Sequence, residues 1–166
     1  MNHTEALSVA NELLIREGFL MDRRDWQGWL ALYAEDAVYW VPAWHDESTA
    51  TEDPDTEISL IYHTQRVGLE ERVMRLRSRT SVTTMPLPRT THFISNLAVI
   101  GANATRVDAR CSFQVHFFEP RTAQQRVHFG YYEVALVLSN DGWQIASKKI
   151  HLQNDCVAPV VDFYLL

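Results

Sequence analysis

The chain has 166 residues, of which 46% are hydrophobic and 22% are charged, values typical of a folded globular domain and far from those of disordered chains. This length suits a single hydrophobic core, so we expect one domain over residues 1–166. The formal net charge of −6 argues against nucleic acid as a partner, because proteins that bind the phosphate backbone concentrate lysine and arginine on one face.

Neither a secretory signal nor a membrane span is visible in the sequence. Residues 1–17 lack the basic flank, apolar core and small-residue cleavage site of a signal peptide, and no stretch reaches the roughly 18 to 20 apolar residues of a span. Cys111 and Cys156 are the only cysteines, which is no disulfide framework. We therefore expect a cytoplasmic protein with reduced thiols and no membrane partner.

The N-terminal region predicts two helices. Asn2 and Glu5 have the spacing of a capping box, and apolar or small residues follow at helical spacing: Leu7, Ala10, Leu14, Gly18 and Met21. Glu12, Arg16 and Glu17 fall off that stripe, which predicts that they face away from the core. A second short helix is predicted after Asp25, and its large apolar side chains are Trp26, Trp29, Leu30 and Tyr33.

The middle of the chain alternates between strands, loops and one more helix. Residues 37–44 are aromatic and β-branched and are broken by Pro42, which predicts a strand ending at an edge or bend. Residues 45–57 form a polar acidic loop, and 58–62 form a short strand or lead into a helix. Residues 65–78 predict an amphipathic helix with a basic face, and 79–89 a loop.

The remainder of the chain predicts strands. Residues 106–117 alternate between apolar and polar side chains, so one face of that strand is expected to be buried. Residues 126–138 and 143–152 form two more strands, joined by a turn that contains Asp141-Gly142. The last ten residues return as a strand edge or pack as a tail. Helices followed by consecutive antiparallel strands predict an α+β domain, in which a curved sheet wraps over the N-terminal helices as a cone with a pocket.

Metal binding and acid-base catalysis are the first chemical hypotheses to consider. The seven histidines are scattered and none has a partner at ligand spacing, so we predict no metal site. Acid-base catalysis in the cone pocket is an alternative, for which the candidates are Asp36, Tyr62, His63 and His92. Each of these also has a structural interpretation, as a turn cap, a core hydroxyl or a partner of the backbone.

An arginine-rich segment is the strongest interaction signal. Six arginines and no lysine occur from residue 66 to 89, namely Arg66, Arg72, Arg75, Arg77, Arg79 and Arg89, and they contrast with the acidic loop. Arginine suits carboxylates and protein interfaces, although a solvated helix face is also possible. Lys148 and Lys149 are interpreted as sheet residues whose charge protects an exposed surface.

The order of segments resembles one family along nearly the whole chain. Eight short segments carry the resemblance. In chain order they are Trp26-Gln27-Gly28-Trp29-Leu30, Tyr39-Trp40-Val41-Pro42, Ile58-Ser59-Leu60-Ile61-Tyr62, Gly68-Leu69-Glu70-Glu71-Arg72-Val73, Pro88-Arg89-Thr90-Thr91-His92, Ile94-Ser95-Asn96, Asn154-Asp155 and Val161-Asp162-Phe163-Tyr164. This ordered set resembles the small, or beta, subunits of aromatic-ring-hydroxylating dioxygenases, and residues 69–89 are most similar to the benzoate and anthranilate dioxygenase branch.

The resemblance implies a cystatin-like cone, shared with ketosteroid isomerase, scytalone dehydratase and the nuclear transport factor. It also implies a trimer of small subunits within a hexamer of three large and three small subunits. The large subunit would carry a Rieske [2Fe-2S] cluster and a mononuclear iron, electrons would come from NADH through a reductase, and the product would be a cis-dihydrodiol or catechol-type compound.

No catalytic residue is carried over to this chain by the resemblance. For Arg66, Arg72, Arg75, Arg77, Arg89 and His92 we predict subunit contacts or fold support. Two alternatives stay open: a stand-alone dehydratase or isomerase of the same fold that uses Asp36, Tyr62 and His92, and a small-molecule binding module.

Overall fold

The structure is a computed structural model, and it describes residues 1–78, 86–154 and 162–166. Three helices and six strands occur in these ranges: α1 (His3–Asp22), α2 (Trp26–Ala31), β1 (Tyr33–Pro42), β2 (Ser59–His63), α3 (Arg66–Arg77), β3 (Arg89–Ala102), β4 (Arg106–Glu119), β5 (Gln124–Ser139) and β6 (Gly142–Leu152). A 3₁₀ helix, Phe163–Leu165, follows near the C-terminus. None of the helices in the described ranges is long and apolar enough to cross a membrane.

All six strands form one sheet in the order β2-β1-β6-β5-β4-β3. Four of the five neighbouring pairs are antiparallel, as predicted, but β1 and β6 are parallel. This difference arises because β1 pairs with the last strand in the sequence rather than with the next long one. The predicted α+β class is confirmed, with a mixed sheet.

Helix α1 begins as the sequence predicts. The Asn2 side chain accepts a hydrogen bond from the backbone N–H of Glu5, and the Glu5 carboxylate accepts one from the backbone N–H of Asn2, so the capping box is present. The helix packs mainly on β3 and buries the predicted residues Ala10, Leu14, Gly18 and Met21, together with Ala6 and Leu13. The prediction that Glu17 faces away from the core was wrong, because only 2% of this residue is exposed.

Helices α2 and α3 also begin near their predicted positions. The Asp25 side chain caps α2 by accepting a hydrogen bond from Gly28 N–H. Trp29 and Leu30 are buried on α2, whereas Tyr33 belongs to β1 rather than to the helix. Helix α3 packs on β1 and buries Gly68, Leu69 and Val73, so the predicted amphipathic helix is confirmed.

The long strands have the predicted alternation. Every second residue of β4 is buried, from Val107 to Phe117, and these positions face the helices. The turn between β5 and β6 is a tight hairpin, in which Ser139 pairs with Gly142. The φ angle of Gly142 is 106°, a value that favours glycine and explains the Asp-Gly signal.

Two predicted segments lie partly outside the described residues: positions 79–85 of the loop after α3 and positions 155–161 before the end. Of the predicted C-terminal tail, residues 162–166 are described, and Phe163, Tyr164, Leu165 and Leu166 are all buried. They form a helical turn rather than a strand edge. The acidic loop between β1 and β2 is mostly exposed, but Thr51 is buried and its hydroxyl donates to the carbonyls of Ala43 or Ile58.

Candidate functional site

A buried ion pair lies in the interior of the cone, between α1 and the sheet. The ammonium of Lys148 lies 2.9 and 2.8 Å from the two carboxylate oxygens of Glu17. The exposed fractions of these side chains are 2% and 3%, respectively. Removing two charges from water is unfavourable unless their attraction and further hydrogen bonds compensate. Neighbouring side chains of the interior supply this compensation through hydrogen bonds and a cation–π contact.

Aromatic side chains surround the pair. The Tyr33 hydroxyl donates to the carboxylate of Glu17, and the indole N–H of Trp29 donates to the same oxygen at 3.4 Å. Lys148 lies 3.9 Å from the centre of the Tyr132 ring, which is cation–π geometry. Burial, and then the negative charge of Glu17, raises the pKa of Tyr33 and Tyr132 well above the usual value. These phenols therefore stay protonated at neutral pH, and Tyr33 remains a donor.

The C-terminal residues close the interior. Phe163 stacks on Trp29 with ring centroids 4.6 Å apart and meets Trp26 edge-to-face at 5.4 Å. The imidazole Nδ1 of His128 lies 2.8 Å from the carbonyl oxygen of Leu165. What space is left beside Glu17 and Lys148 is too small to hold a water molecule. Among the described residues, the space beside this pair is therefore filled by the chain's own side chains.

His92 and Asp22 form a second polar pair at the edge of this interior. Nδ1 of His92 lies 2.6 Å from a carboxylate oxygen of Asp22, and this carboxylate also accepts from the Thr90 hydroxyl and from the backbone N–H of His92. Burial opposes ionisation of Asp22, but its contacts with His92 outweigh burial and lower the pKa of the carboxyl. Nε2 of His92 is buried and has no hydrogen-bond partner among the described residues.

A third cluster fixes the C-terminal residues to α3. The guanidinium of Arg72 donates through Nε to Nε2 of His63 at 2.8 Å and through Nη1 to Asp162 at 3.1 Å. Asp162 in turn accepts from the backbone N–H of Phe163 and caps the terminal turn. Burial, and then the positive charge of Arg72, lowers the pKa of His63. The imidazole is thereby kept neutral and able to accept.

The residues nominated for acid-base catalysis do not meet at one place. Asp36 is exposed on β1. Tyr62 lies on β2, at the edge of the sheet opposite β3, and contacts Trp40 edge-to-face at 6.2 Å. His92, on β3, contacts Asp22 instead, and His63 contacts Arg72.

The predicted interface arginines separate into two groups. Arg72 holds His63 and Asp162, and Arg66 donates to Glu70 and to the carbonyl of Tyr33. The other three are exposed and make no side-chain hydrogen bond or ion pair within the described residues: Arg75, Arg77 and Arg89. His92, whose side chain is only 3% exposed, has an internal role in the isolated chain.

The prediction that Lys148 protects an exposed surface was wrong, because Lys148 is part of the buried pair. A signal for it exists in the sequence: Lys148 is in phase with Ile150 and Leu152, both of which are buried. A lysine at an inward strand position requires a counter-charge.

Within residues 1–78, 86–154 and 162–166, no three histidine, cysteine or acidic side chains lie close enough together to hold a metal ion. These residues therefore do not fit a Rieske cluster or a mononuclear iron.

Comparisons with known proteins place the sequence in one family. Residues 16–159 match the family described as ring hydroxylating beta subunit. The chain is 40% identical over 151 residues to the small subunit of 2-halobenzoate 1,2-dioxygenase from Burkholderia cepacia, covering 91% of this chain and 90% of that one. It is 35% identical to the beta subunit of benzoate 1,2-dioxygenase from Acinetobacter baylyi, covering 97% and 94% of the two chains.

Solved structures give the same result. The beta subunit of benzoate 1,2-dioxygenase from Burkholderia mallei superposes with a TM-score of 0.79 at 32% identity, over 95% of each chain. A cystatin-fold protein from Novosphingobium aromaticivorans, similar to the nuclear transport factor, has a TM-score of 0.63 at 17% identity over 93% and 86% of the two chains. That likeness concerns the fold alone, and it agrees with the predicted cystatin-like cone.

Proposed function

Because the chain belongs to the family of ring-hydroxylating dioxygenase beta subunits, we propose that it is the structural small subunit of an oxygenase for an aromatic carboxylate. The two relatives compared above act, by name, on benzoate or 2-halobenzoate, and both substrates are aromatic carboxylates. The oxidation takes place in a large-subunit partner, which holds the Rieske cluster and the iron and receives electrons from NADH through a reductase. Three large and three small subunits form the complex.

The closed interior is the observation that carries the non-catalytic role. In a dehydratase or isomerase, acid and base groups must reach a bound substrate, but here rings and an ion pair occupy the centre of the cone. Trp29, Tyr33 and Phe163 fill the space next to Glu17 and Lys148. The polar groups of the interior stabilise the subunit, and in the part of the chain that the structure describes the space beside Glu17 and Lys148 is too small for a substrate.

The outward arginines support a contact with the large subunit. Arg75 and Arg77 lie in the last turn of α3 next to Met74, whose exposed fraction is 68%. Arginine and methionine are both enriched in protein interfaces. Arg89, at the start of β3, lies over the ring of Phe118 at 5.7 Å and extends the same set of candidate contacts.

Co-expression with a large subunit tests the proposal. The large subunit carries an affinity tag, and the small subunit that co-purifies is quantified together with iron and with oxygen uptake on benzoate and 2-halobenzoate. We expect a hexamer by size-exclusion chromatography, and we expect all of the iron to stay with the large subunit after the two are separated. Arg75→Glu combined with Arg77→Glu should reduce co-purification at least tenfold, whereas Arg16→Glu, an exposed arginine of α1, should not.

Two results would contradict the proposal. The first is a large subunit that is equally stable and active without this chain. The second is turnover of a substrate by the purified chain alone, in the absence of a large subunit.

A further inference from the structure

The second face of the sheet is not covered by any described element. Side chains alternate along each strand: every second residue faces the helices and is buried, and the residues in between form the outer face of the sheet. One row crosses five strands in register, with Trp40 between Tyr62 and Lys149, and with Glu133 between Lys149 and Arg110. All five side chains are half-buried or exposed.

A groove of about 610 Å³ lies on this outer face. Its apolar part contains Val38, Trp40 and Ile100, and its charged part contains Arg106, Asp108, Arg110, Glu133 and Lys149. Both carboxylates are paired with arginine: Asp108 with Arg106 at 2.7 Å and Glu133 with Arg110 at 2.6 Å. Lys149 lies 4.0 Å over the Trp40 ring and has no carboxylate partner within the described ranges. The groove thus combines an apolar surface with surplus positive charge.

Ile100 at this groove is 71% exposed. An isoleucine with this exposure contributes little to the stability of the isolated chain, but it would bury a large apolar area against a partner. The groove is therefore suited to a segment that combines an apolar side chain with carboxylates.

The acidic loop of this same chain has that composition. No lysine or arginine occurs from residue 25 to residue 65. Three exposed acidic residues of the loop make no side-chain hydrogen bond or ion pair within the described residues: Glu47, Glu52 and Asp55. At the end of the loop, Ile58 is 77% exposed.

Other acidic residues hold the loop in shape. Asp46 accepts from the backbone N–H groups of Ser48 and Thr49. Glu57 accepts from the backbone N–H groups of Glu52 and Asp53 at 2.6 and 2.8 Å. A segment that is already ordered loses less entropy when it binds, so the loop is preorganised to contact a partner.

We propose that the acidic loop of one small subunit binds in the outer-face groove of the next copy. Ile58 of the loop packs against Trp40 and Ile100, and the loop carboxylates face Lys149. Loop and groove are different surfaces, so the contact is heterologous, and a heterologous contact generates a ring when its rotation closes. The inference rests on the hexamer of the proposed function, in which the three small subunits contact one another as a trimer, and it assigns the residues that build this trimer.

Exchanging the two exposed isoleucines for opposite charges tests the contact. Ile58→Lys and Ile100→Asp are made separately and together, and the mass of the small-subunit assembly is measured by light scattering after size-exclusion chromatography. Both side chains are exposed, so folding should be little affected, and circular dichroism checks this. We expect each single variant to weaken the trimer at least tenfold. The double variant places the introduced lysine of one copy against the introduced aspartate of the next, and it should restore the trimer.

Ile15→Lys is the matched control, because Ile15 is an isoleucine of α1 with an exposed fraction of 41% that is outside both surfaces. It should leave the trimer unchanged. The proposal is overturned if either single variant remains as trimeric as the unmodified chain, or if the double variant does not recover.

Pull-down with the tagged large subunit separates this inference from the proposed function. If the unmodified chain does not co-purify with the large subunit, the proposed function fails. If it does, and Ile58→Lys loses the large subunit while the small subunits stay trimeric, the loop binds the large subunit and only the loop-to-groove contact is wrong.

Discussion

Replacing Lys148 with methionine removes the positive charge of the buried pair and keeps most of the apolar stem. Glu17 would retain the hydrogen bonds from Tyr33 and Trp29 but would lose both contacts with the ammonium, at 2.8 and 2.9 Å. Breaking a buried pair by removing one partner reduces the free energy of unfolding by about 3–5 kcal/mol, because the other charge is left without compensation. For a chain of this size, this corresponds to a fall in Tm of roughly 6–20 °C.

Urea denaturation of the full chain, followed by tryptophan fluorescence, measures the change. Arg16→Met is the control, because Arg16 is an exposed cation of α1 outside both proposed contact surfaces, and its loss should change stability by no more than about 0.5 kcal/mol. Glu17→Leu combined with Lys148→Met removes both charges and should be less destabilised than the sum of the two single variants, with a coupling of about 0.5–3 kcal/mol.

The reasoning about the buried pair is refuted in either of two ways. One is a loss below about 1 kcal/mol for Lys148→Met, which would mean that the uncompensated carboxylate reaches water. The other is strict additivity in the double variant, since two groups in direct contact must be coupled.

Three further predictions concern other parts of the chain. The lowered pKa of His63 means that folding favours its neutral form; its contribution to stability is therefore full above the unfolded pKa of about 6.5 and declines as pH falls toward the folded pKa. His63→Gln should flatten the fall in the urea midpoint below about pH 6.5. Gly130→Ala should destabilise the sheet by about 1–3 kcal/mol, because its new Cβ would overlap the backbone carbonyl of His151. The control is Gly101→Ala, whose new Cβ meets nothing within 4 Å. It should leave the melting temperature unchanged. Burial raises the pKa of Cys111 to about 11, so iodoacetamide at mildly alkaline pH should label this thiol only after unfolding, as read by peptide mass spectrometry.

Each of these three has a contrary result. An unchanged pH profile in His63→Gln would show that His63 does not need to be neutral. Equal melting temperatures for the two glycine variants would show that the sheet adjusts at Gly130. Fast labelling of Cys111 in the native chain would show that β4 opens readily.

The features predicted correctly from the sequence depend on residues close to one another in the chain. The capping box of α1 joins Asn2 to Glu5, and α2 begins directly after Asp25, as predicted. The alternation of β4 and the Asp-Gly turn are likewise local, since each is set by side-chain direction or by a φ angle. The parallel pairing of β1 with β6 could not be predicted in this way, because nothing within either strand specifies so distant a partner.

The interior was harder to predict for a related reason. Glu17 lies three residues after Leu14 and seven after Ala10, both of which are buried, so helical spacing allows it to face the core, and only its charge indicated solvent. Lys148 alternates with Ile150 and Leu152, which are buried, so the strand pattern places it inward. A lysine is rarely buried without a counter-charge, however, and the sequence does not show which residue supplies one. Only the two residues together, brought close by the fold, satisfy the requirement that buried charges be paired.

Glu17 and Lys148 are 131 positions apart in the sequence, and this separation affects how the protein folds. Helix α1 precedes all six described strands in the chain, and β6, which neutralises its buried carboxylate, follows the other five. Helix α1 can pack on β3 before β6 is present, but until then the carboxylate of Glu17 has no counter-charge and β1 lacks its parallel neighbour. The buried pair can therefore form only after β6 has joined the sheet, which makes folding of the interior dependent on long-range contacts.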